Sequence, residues 1–408
     1  MNCRHCGSTS LGGFADLGSA PPSNAYLTAD KLSSPELFFP LRVMVCLHCK
    51  LVQTEDFAAH DALFADDYAY FSSFSAQWLA HAEKYVGDMC NRFDLSALSM
   101  VAEIAANDGY LLQFVKERGI PCFGVEPTES TAEAARQKDL HIVQEFFGEA
   151  VGARLAKEGQ STDLIAANNV LAHVPDINDF VSGFTAIMKP NGVATFEFPH
   201  LVELVKNCQF DTIYHEHFSY LSLLAIDRVF AANGLVVFDV EKLTTHGGSL
   251  RIYAQRADTG QHVITENVES LRRAEQELGL DGFDYYLGLQ PRAEKIKDDV
   301  LTFLIEAKSA GKTVGGYGAA AKGNTLLNFA GIRGDLLPYV VDLSPSKAGK
   351  FMPGSRIPIV PQKHLLSDKP DYIFILPWNL KQEVMVQLEQ ARAWGAKFVT
   401  AVPTLTVE

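Results

Sequence analysis

No apolar run in this chain approaches the roughly 18 residues needed to cross a bilayer, so no membrane-spanning helix is expected. Basic clusters are missing as well and the net charge is −14, which leaves a polyanion such as DNA or RNA little to bind. The N-terminus has neither the basic stretch nor the apolar core of a secretory signal, and a cytoplasmic location is expected. Cysteine is scarce, and seven residues, an odd number, argue against a disulfide framework. Neither glycine-containing turn carries G-x-G-x-x-G or G-x-x-x-x-G-K-[ST], which counts against a dinucleotide and against ATP hydrolysis. With 47% apolar and 21% charged residues, the composition is that of a globular enzyme acting on small molecules, expected as a monomer.

The 408 residues exceed what one core usually serves. Short apolar runs at Met100–Ile104, Pro121–Glu126, His141–Val143, Thr162–Ala167, Gly192–Glu197, Leu235–Val240 and Leu250–Ala254 alternate with helical stretches, the pattern of a sheet covered on both faces. A helix is expected from Tyr68 to about Asn91, and two charged helices at Gln261–Leu280 and Tyr286–Ser309. The alternation restarts with strands at Thr313–Gly316, Leu337–Asp342, Asp371–Leu376 and Lys397–Ala401. The expected organisation is a small module (1–65), an α/β domain (66–256), bridging helices (257–310) and a second, smaller doubly wound domain (311–408).

What cysteine there is falls largely into two C-x-x-C pairs, Cys3 with Cys6 and Cys46 with Cys49. Four soft thiolates on two knuckles suit a structural Zn2+, although His5 or His48 could replace one of them. Val101 to Leu112 reads as strand, small-residue turn and helix start, and Glu126 ends the next strand, where a carboxylate can accept from both hydroxyls of a ribose. Nicotinamide and adenosylmethionine enzymes share that pairing. Tyr214-His215-Glu216-His217 gathers two imidazoles, a carboxylate and a phenol, which suits proton transfer. Spacing alone does not choose between the histidines, and an extended chain would turn Tyr214 and Glu216 to the opposite side from them. The absence of H-E-x-x-H spacing speaks against a catalytic metal there. Gly316 to Gly323 with Lys322 follows a strand and enters a helix, a phosphate-binding pattern that helix–sheet packing could equally demand.

The cysteine pairs, Tyr68 to Ser75, Glu103-Ile104-x-x-Asn107-Asp108-Gly109, Tyr214 to His217, His246-Gly247-Gly248-Ser249-Leu250-Arg251 and Gly316-Tyr317-Gly318-Ala319 together resemble the sugar C-methyltransferases of deoxysugar biosynthesis. In particular they resemble those acting at C-3 of thymidine-diphosphate 4-keto sugars. The resemblance covers the chain in order. It departs at Ala105-Ala106, where the family has Gly-Ser, so a methyl group sits where the backbone approaches the cofactor. It implies a zinc module, a class I methyltransferase domain of Rossmann-like form and a second Rossmann-like domain.

It further implies S-adenosylmethionine as cofactor, its methionine part on Ala105, Asn107 and Gly109, its ribose on Glu126, its adenine near Phe146, with Asn168 and Tyr68 completing the site. His217 becomes the base that removes the proton beside the ketone, Tyr214 the oxyanion donor or alternative base, Glu216 its neighbour, and His173 a contact to the keto oxygen. Lys322, Tyr317 and His246 are assigned to the nucleotide sugar, although a tight hairpin explains Gly247-Gly248 about as well. The rivals are an NAD-dependent dehydrogenase or epimerase and a non-catalytic zinc-bearing binding module.

Overall fold

A computed structural model describes residues 1–57 and 71–408. The apolar runs of the middle region form a seven-stranded sheet in the order Leu235–Leu243, Ser249–Arg256, Met188–Pro199, Thr162–Asn168, Val101–Ile104, Cys122–Val125, Ile142–Val143. Ser249–Arg256 runs antiparallel to both of its neighbours, and the remaining pairings are parallel. Val101–Ile104 is buried throughout, as a strand covered by helices on both faces must be, and this is why it reads as an unbroken apolar run. The sheet is the class I arrangement the resemblance implies. The expected helix at Tyr68 to Asn91 is observed as Ala76–Arg92, where the Ser75 side chain accepts the Trp78 N–H and caps it.

Four strands that sequence periodicity did not reveal build an antiparallel sheet at the N-terminal end, in the order Leu11–Ala20, Phe39–Cys46, Val52–Thr54, Ser219–Tyr220. In Phe39–Cys46 the inward residues Leu41, Val43 and Val45 do alternate. The last strand comes from the middle region: Val52 pairs with Tyr220 and Gln53 with Ser219. The N-terminal module is thus not closed on itself.

The C-terminal sheet has the order Ile359–Val360, Val340–Val341, Val314–Tyr317, Tyr372–Ile375, Lys397–Thr400, Thr406–Val407, parallel but for the last strand. The bridging helices are Glu266–Glu277 and Leu289–Ser309, both shorter than expected. Leu289, Ala293, Ile296, Val300 and Leu304 make one buried stripe on the longer helix. That stripe belongs to a single core shared with Phe14, Val43 and Ile213 on one side and Leu326, Leu327 and Phe374 on the other. One core therefore ties the N-terminal sheet to the C-terminal domain. Among the described residues no helix is long and apolar enough to cross a membrane.

Candidate active site

Gly7 and Lys50, with φ of +72° and +61°, close the two cysteine knuckles by donating their N–H groups to the Cys3 and Cys46 carbonyls at 2.9 Å. The four sulfurs lie within 4.8 Å of one another, Cys3 to Cys49 at 3.4 Å and Cys6 to Cys46 at 3.6 Å. A tetrahedral zinc with Zn–S bonds near 2.3 Å sets its sulfurs about 3.8 Å apart, so the donor set fits. His5 is engaged elsewhere, its Nδ1 on the Asn178 side-chain oxygen at 2.8 Å.

At the carboxyl edge of the middle sheet, Ala105, Asn107 and Gly109 all take positive φ (+57°, +51° and +74°). Ala106 is fully buried, and a Cβ on Gly124 would come within 2.6 Å of its methyl group. The Glu126 carboxylate accepts the Asn107 N–H at 2.9 Å and the Thr128 N–H at 3.0 Å, which fixes it at the strand tip. Asn168 ends the next strand but one, its buried Oδ1 without a partner among the described residues, and Phe146 is 62% exposed beside this edge. An acid at the strand tip, an orphaned amide oxygen and an open backbone turn fit an adenosyl cofactor. The N–H groups of Ser72 and Ser73 reach the side chains of Asn107 and Asp108 at 2.9 and 3.3 Å, so this segment lies over the turn. Tyr68, expected to help close the site, lies outside the described residues.

The Tyr214–His217 stretch is a turn, with the His217 N–H on the Tyr214 carbonyl at 2.9 Å. The expectation that Tyr214 faces away from the histidines is therefore corrected: its hydroxyl donates to His217 Nε2 at 2.7 Å, and the rings lie 3.9 Å apart. His217 Nδ1–H donates to the Thr212 carbonyl at 2.9 Å, which leaves Nε2 as the acceptor. Burial, then the neighbouring His173, holds the His217 pKa well below its ordinary value. The His173 ring lies edge-on at 4.6 Å, its Nδ1 donates to the Glu216 carbonyl at 2.8 Å, and burial pulls its pKa down to about 4. His215 points elsewhere, toward the Pro40 carbonyl at 3.2 Å and the edge of Phe39. Glu216 is buried, accepts from the backbone and side chain of Asn24 at 3.2 Å, and has its pKa raised by burial.

Several groups here went unnoticed in the sequence. Glu197 accepts from His81 at 2.8 Å and from Arg251 at 2.6 and 2.7 Å. Burial opposes its ionisation, but those two partners outweigh burial and hold its pKa below normal. His81 stacks on Trp78 at 4.8 Å, and Trp78 lies 5.4 Å from His246. The one available signal was Trp78 and His81 sharing a helix face at i, i+3.

From the C-terminal domain, Lys322 reaches the Asn379 side-chain oxygen at 2.7 Å and sits 4.7 Å above the Trp378 ring. The Trp378 indole N–H donates to Asp211 Oδ2 at 2.7 Å. Gly247 must lack a side chain, because a Cβ there would lie 2.4 Å from Trp378. His246 sits beside it at φ +56°, its pKa drawn down to about 4 by burial and by Lys322. The glycines around Lys322 answer to packing: a Cβ on Gly318 would meet Pro377 at 2.4 Å. The Ala319 N–H already donates to the Asp342 carboxylate at 2.8 Å. Tyr317 stands apart from Lys322, buried on its strand with its hydroxyl on Gln387 at 2.7 Å.

Three protein-family models match the chain: a putative zinc binding domain over 3–64, a methyltransferase domain over 78–240 and a C-methyltransferase C-terminal domain over 244–403. The chain is 32% identical over 402 residues to the C-methyltransferase NovU of Streptomyces niveus, covering 98% of this chain and 95% of that protein. Among solved structures it is similar to PH0226 of Pyrococcus horikoshii (TM-score 0.39, 15% identity, 47% of this chain and 99% of that one). It is also similar to the 1,6-didemethyltoxoflavin-N1-methyltransferase of Burkholderia thailandensis (TM-score 0.37, 14% identity, 51% and 96%).

Proposed function

The chain belongs to the sugar C-methyltransferase family, an S-adenosylmethionine-dependent enzyme with a structural zinc, and we propose that it methylates C-3, next to the ketone, of a thymidine-diphosphate 4-keto-deoxysugar. The dehydrogenase and scaffold readings give way to that membership. A carbon of this kind becomes nucleophilic only when the adjacent ketone lets a proton leave as an enolate, so a base and an oxyanion donor are required. The Ala105–Gly109 turn and Glu126 would hold S-adenosylmethionine, which when bound would supply the electrophilic methyl group.

The observation that carries this reading is the bonding of His217. Its Nδ1–H is fixed on the Thr212 carbonyl and its Nε2 lone pair faces the Tyr214 hydroxyl. Once the Tyr214 hydroxyl turns from Nε2 to the keto oxygen, a neutral imidazole in this tautomer can accept the α-proton at Nε2, and the Thr212 carbonyl stabilises the imidazolium that results. Tyr214, whose hydroxyl is the proton donor beside His217, is the group able to meet the charge growing on the keto oxygen, whereas His173, its Nδ1–H committed to the Glu216 carbonyl, packs against the base. The test is deuterium exchange at the α-carbon in heavy water with S-adenosylhomocysteine bound, so that transfer cannot proceed. Wild type exchanges, His217→Asn loses at least about a hundredfold of that rate, and His215→Asn is affected less. Exchange at the wild-type rate in His217→Asn would place the base elsewhere.

A further inference from the structure

Trp378 gathers a set of groups for which the methyl-transfer chemistry has no use. Its N–H holds Asp211 Oδ2, its ring face lies under the Lys322 ammonium, and its edge abuts Gly247, next to His246. Asp211 is 1% exposed, yet among the described residues its Oδ1 has no hydrogen-bond partner, and the buried His246 Nε2 has none either. Orphaned polar atoms of this kind carry a desolvation cost unless a ligand completes them. Lys322 does not pair with the Asp211 carboxylate, but is drawn off to Asn379. Burial lowers the pKa of Lys322 and raises that of Asp211 to about 6, and each partner's charge offsets only part of that shift.

A diphosphate is a poor ligand for this set, because the Asp211 carboxylate cancels the Lys322 charge and repels an anion brought beside it. The nearby glycine turn offers no alternative cradle, since the Asp342 carboxylate occupies its Ala319 N–H. A hydroxyl suits the pair better, accepting from an ammonium and donating to a carboxylate at once. We propose that Lys322 and Asp211, held in place by Trp378, read a hydroxyl of the sugar ring and so set substrate specificity, leaving the diphosphate to other groups. This rests on the nucleotide-sugar reading given above.

The test uses the full zinc-loaded chain with Asp211→Asn and Lys322→Gln. Turnover is measured on thymidine-diphosphate 4-keto-6-deoxyglucose, and the dissociation constant of thymidine diphosphate alone by calorimetry. Both variants should raise KM by about 10- to 100-fold, the loss expected for a hydrogen bond to a charged group, while thymidine diphosphate binds within about twofold of wild type. The diphosphate alternative gives opposite signs: Lys322→Gln would weaken thymidine diphosphate and Asp211→Asn, by removing a repelling charge, would tighten it. That pattern, or an unchanged KM in both variants, overturns the inference while leaving the substrate reading intact. Should Asp211→Asn fail to fold, judged by zinc content and S-adenosylhomocysteine binding, Lys322→Gln decides alone. A wild type that methylates no 4-keto sugar nucleotide overturns both readings together.

Discussion

Ala105 and Ala106 are adjacent, equal in size and placed in the same turn, yet replacing each by glycine should shift stability in opposite directions. Ala105 holds φ at +57°, a left-handed conformation that costs a residue with a Cβ about 1–2 kcal/mol. Glycine removes that cost but frees the unfolded chain, which returns about 0.5–1 kcal/mol. The net gain for Ala105→Gly is therefore about 0.5–1 kcal/mol, or roughly 1–3 °C in Tm for a unit of this size. Ala106 has no such strain and is fully buried above Gly124. Its glycine variant loses the burial of one methyl, about 1 kcal/mol, together with the glycine entropy cost of about 0.5–1 kcal/mol. Thermal unfolding with and without S-adenosylhomocysteine measures both effects, since the ligand adds a further increment set by its affinity. Removing the Ala105 methyl from the face where the backbone approaches the cofactor should also tighten that ligand severalfold. Destabilisation by Ala105→Gly, or shifts of the same sign in both variants, would refute the reasoning.

Glu126→Ala should weaken S-adenosylhomocysteine by about 10- to 100-fold, and an unaltered calorimetric dissociation constant would mean that the ribose lies elsewhere. Cys46→Ser should bring zinc below one equivalent per chain by metal analysis and lower the unfolding temperature; full occupancy would contradict the four-thiolate site. Acid should destabilise the fold between about pH 6.5, where an unfolded histidine titrates, and about pH 4, where His173 and His246 titrate when folded. In that window the unfolded chain binds more protons, so stability falls as pH falls, by at most about 3 kcal/mol for each histidine. Asp211, raised by burial to about 6, acts in the opposite sense and offsets part of the loss. His246→Asn, which tolerates the same backbone conformation, should flatten the dependence of the urea midpoint on pH across this window, and an unchanged slope would refute it.

The middle and C-terminal sheets were legible because parallel strands buried on both faces leave continuous apolar runs, as at Thr162–Asn168 and Tyr372–Ile375. The N-terminal sheet was not, because Leu11–Ala20 is interrupted by glycines and bulges and its partner Ser219–Tyr220 is two residues long and remote in sequence. Ile359–Val360 and Thr406–Val407 are likewise too short to carry a period. At the site, Cys3, Cys6, Cys46 and Cys49 could be read from spacing because the ligands come in local pairs. His81 and Glu197 could not, and Arg251 stood out only as the end of a motif with no role attached, since three separate elements supply them and only the fold brings them together. The strand-like alternation assumed for Tyr214–His217 failed for a local reason: the chain turns there and reverses the Tyr214 side chain.

The N-terminal module touches the Tyr214–His217 turn both from the stretch between the two cysteine pairs, at Asn24, and from just beyond the second pair, at Thr54. The Thr54 hydroxyl donates to the His217 carbonyl at 2.5 Å, and the Asn24 backbone and side chain bond the Glu216 carboxylate. From the other side Thr325, on the C-terminal helix Ala321–Ala330, donates its hydroxyl to the Ile213 carbonyl at 2.8 Å. The segment bearing the proposed base is thus held at both ends by groups from outside the middle domain, and its continuation at Ser219 and Tyr220 is a strand of the N-terminal sheet. A base must be held within hydrogen-bond reach of the proton it removes, and a misplacement of about 1 Å can cost roughly a hundredfold in rate; a turn in a methyltransferase domain does not by itself secure that position. The zinc knuckles anchor one edge of the sheet that fixes this turn, with Cys3, Cys46 and Cys49 packed in the same core as Phe180 and Leu221 of the middle domain. If His217 is the base, as proposed, zinc would bear on it only through the backbone of Tyr214–His217, since no cysteine is part of the site.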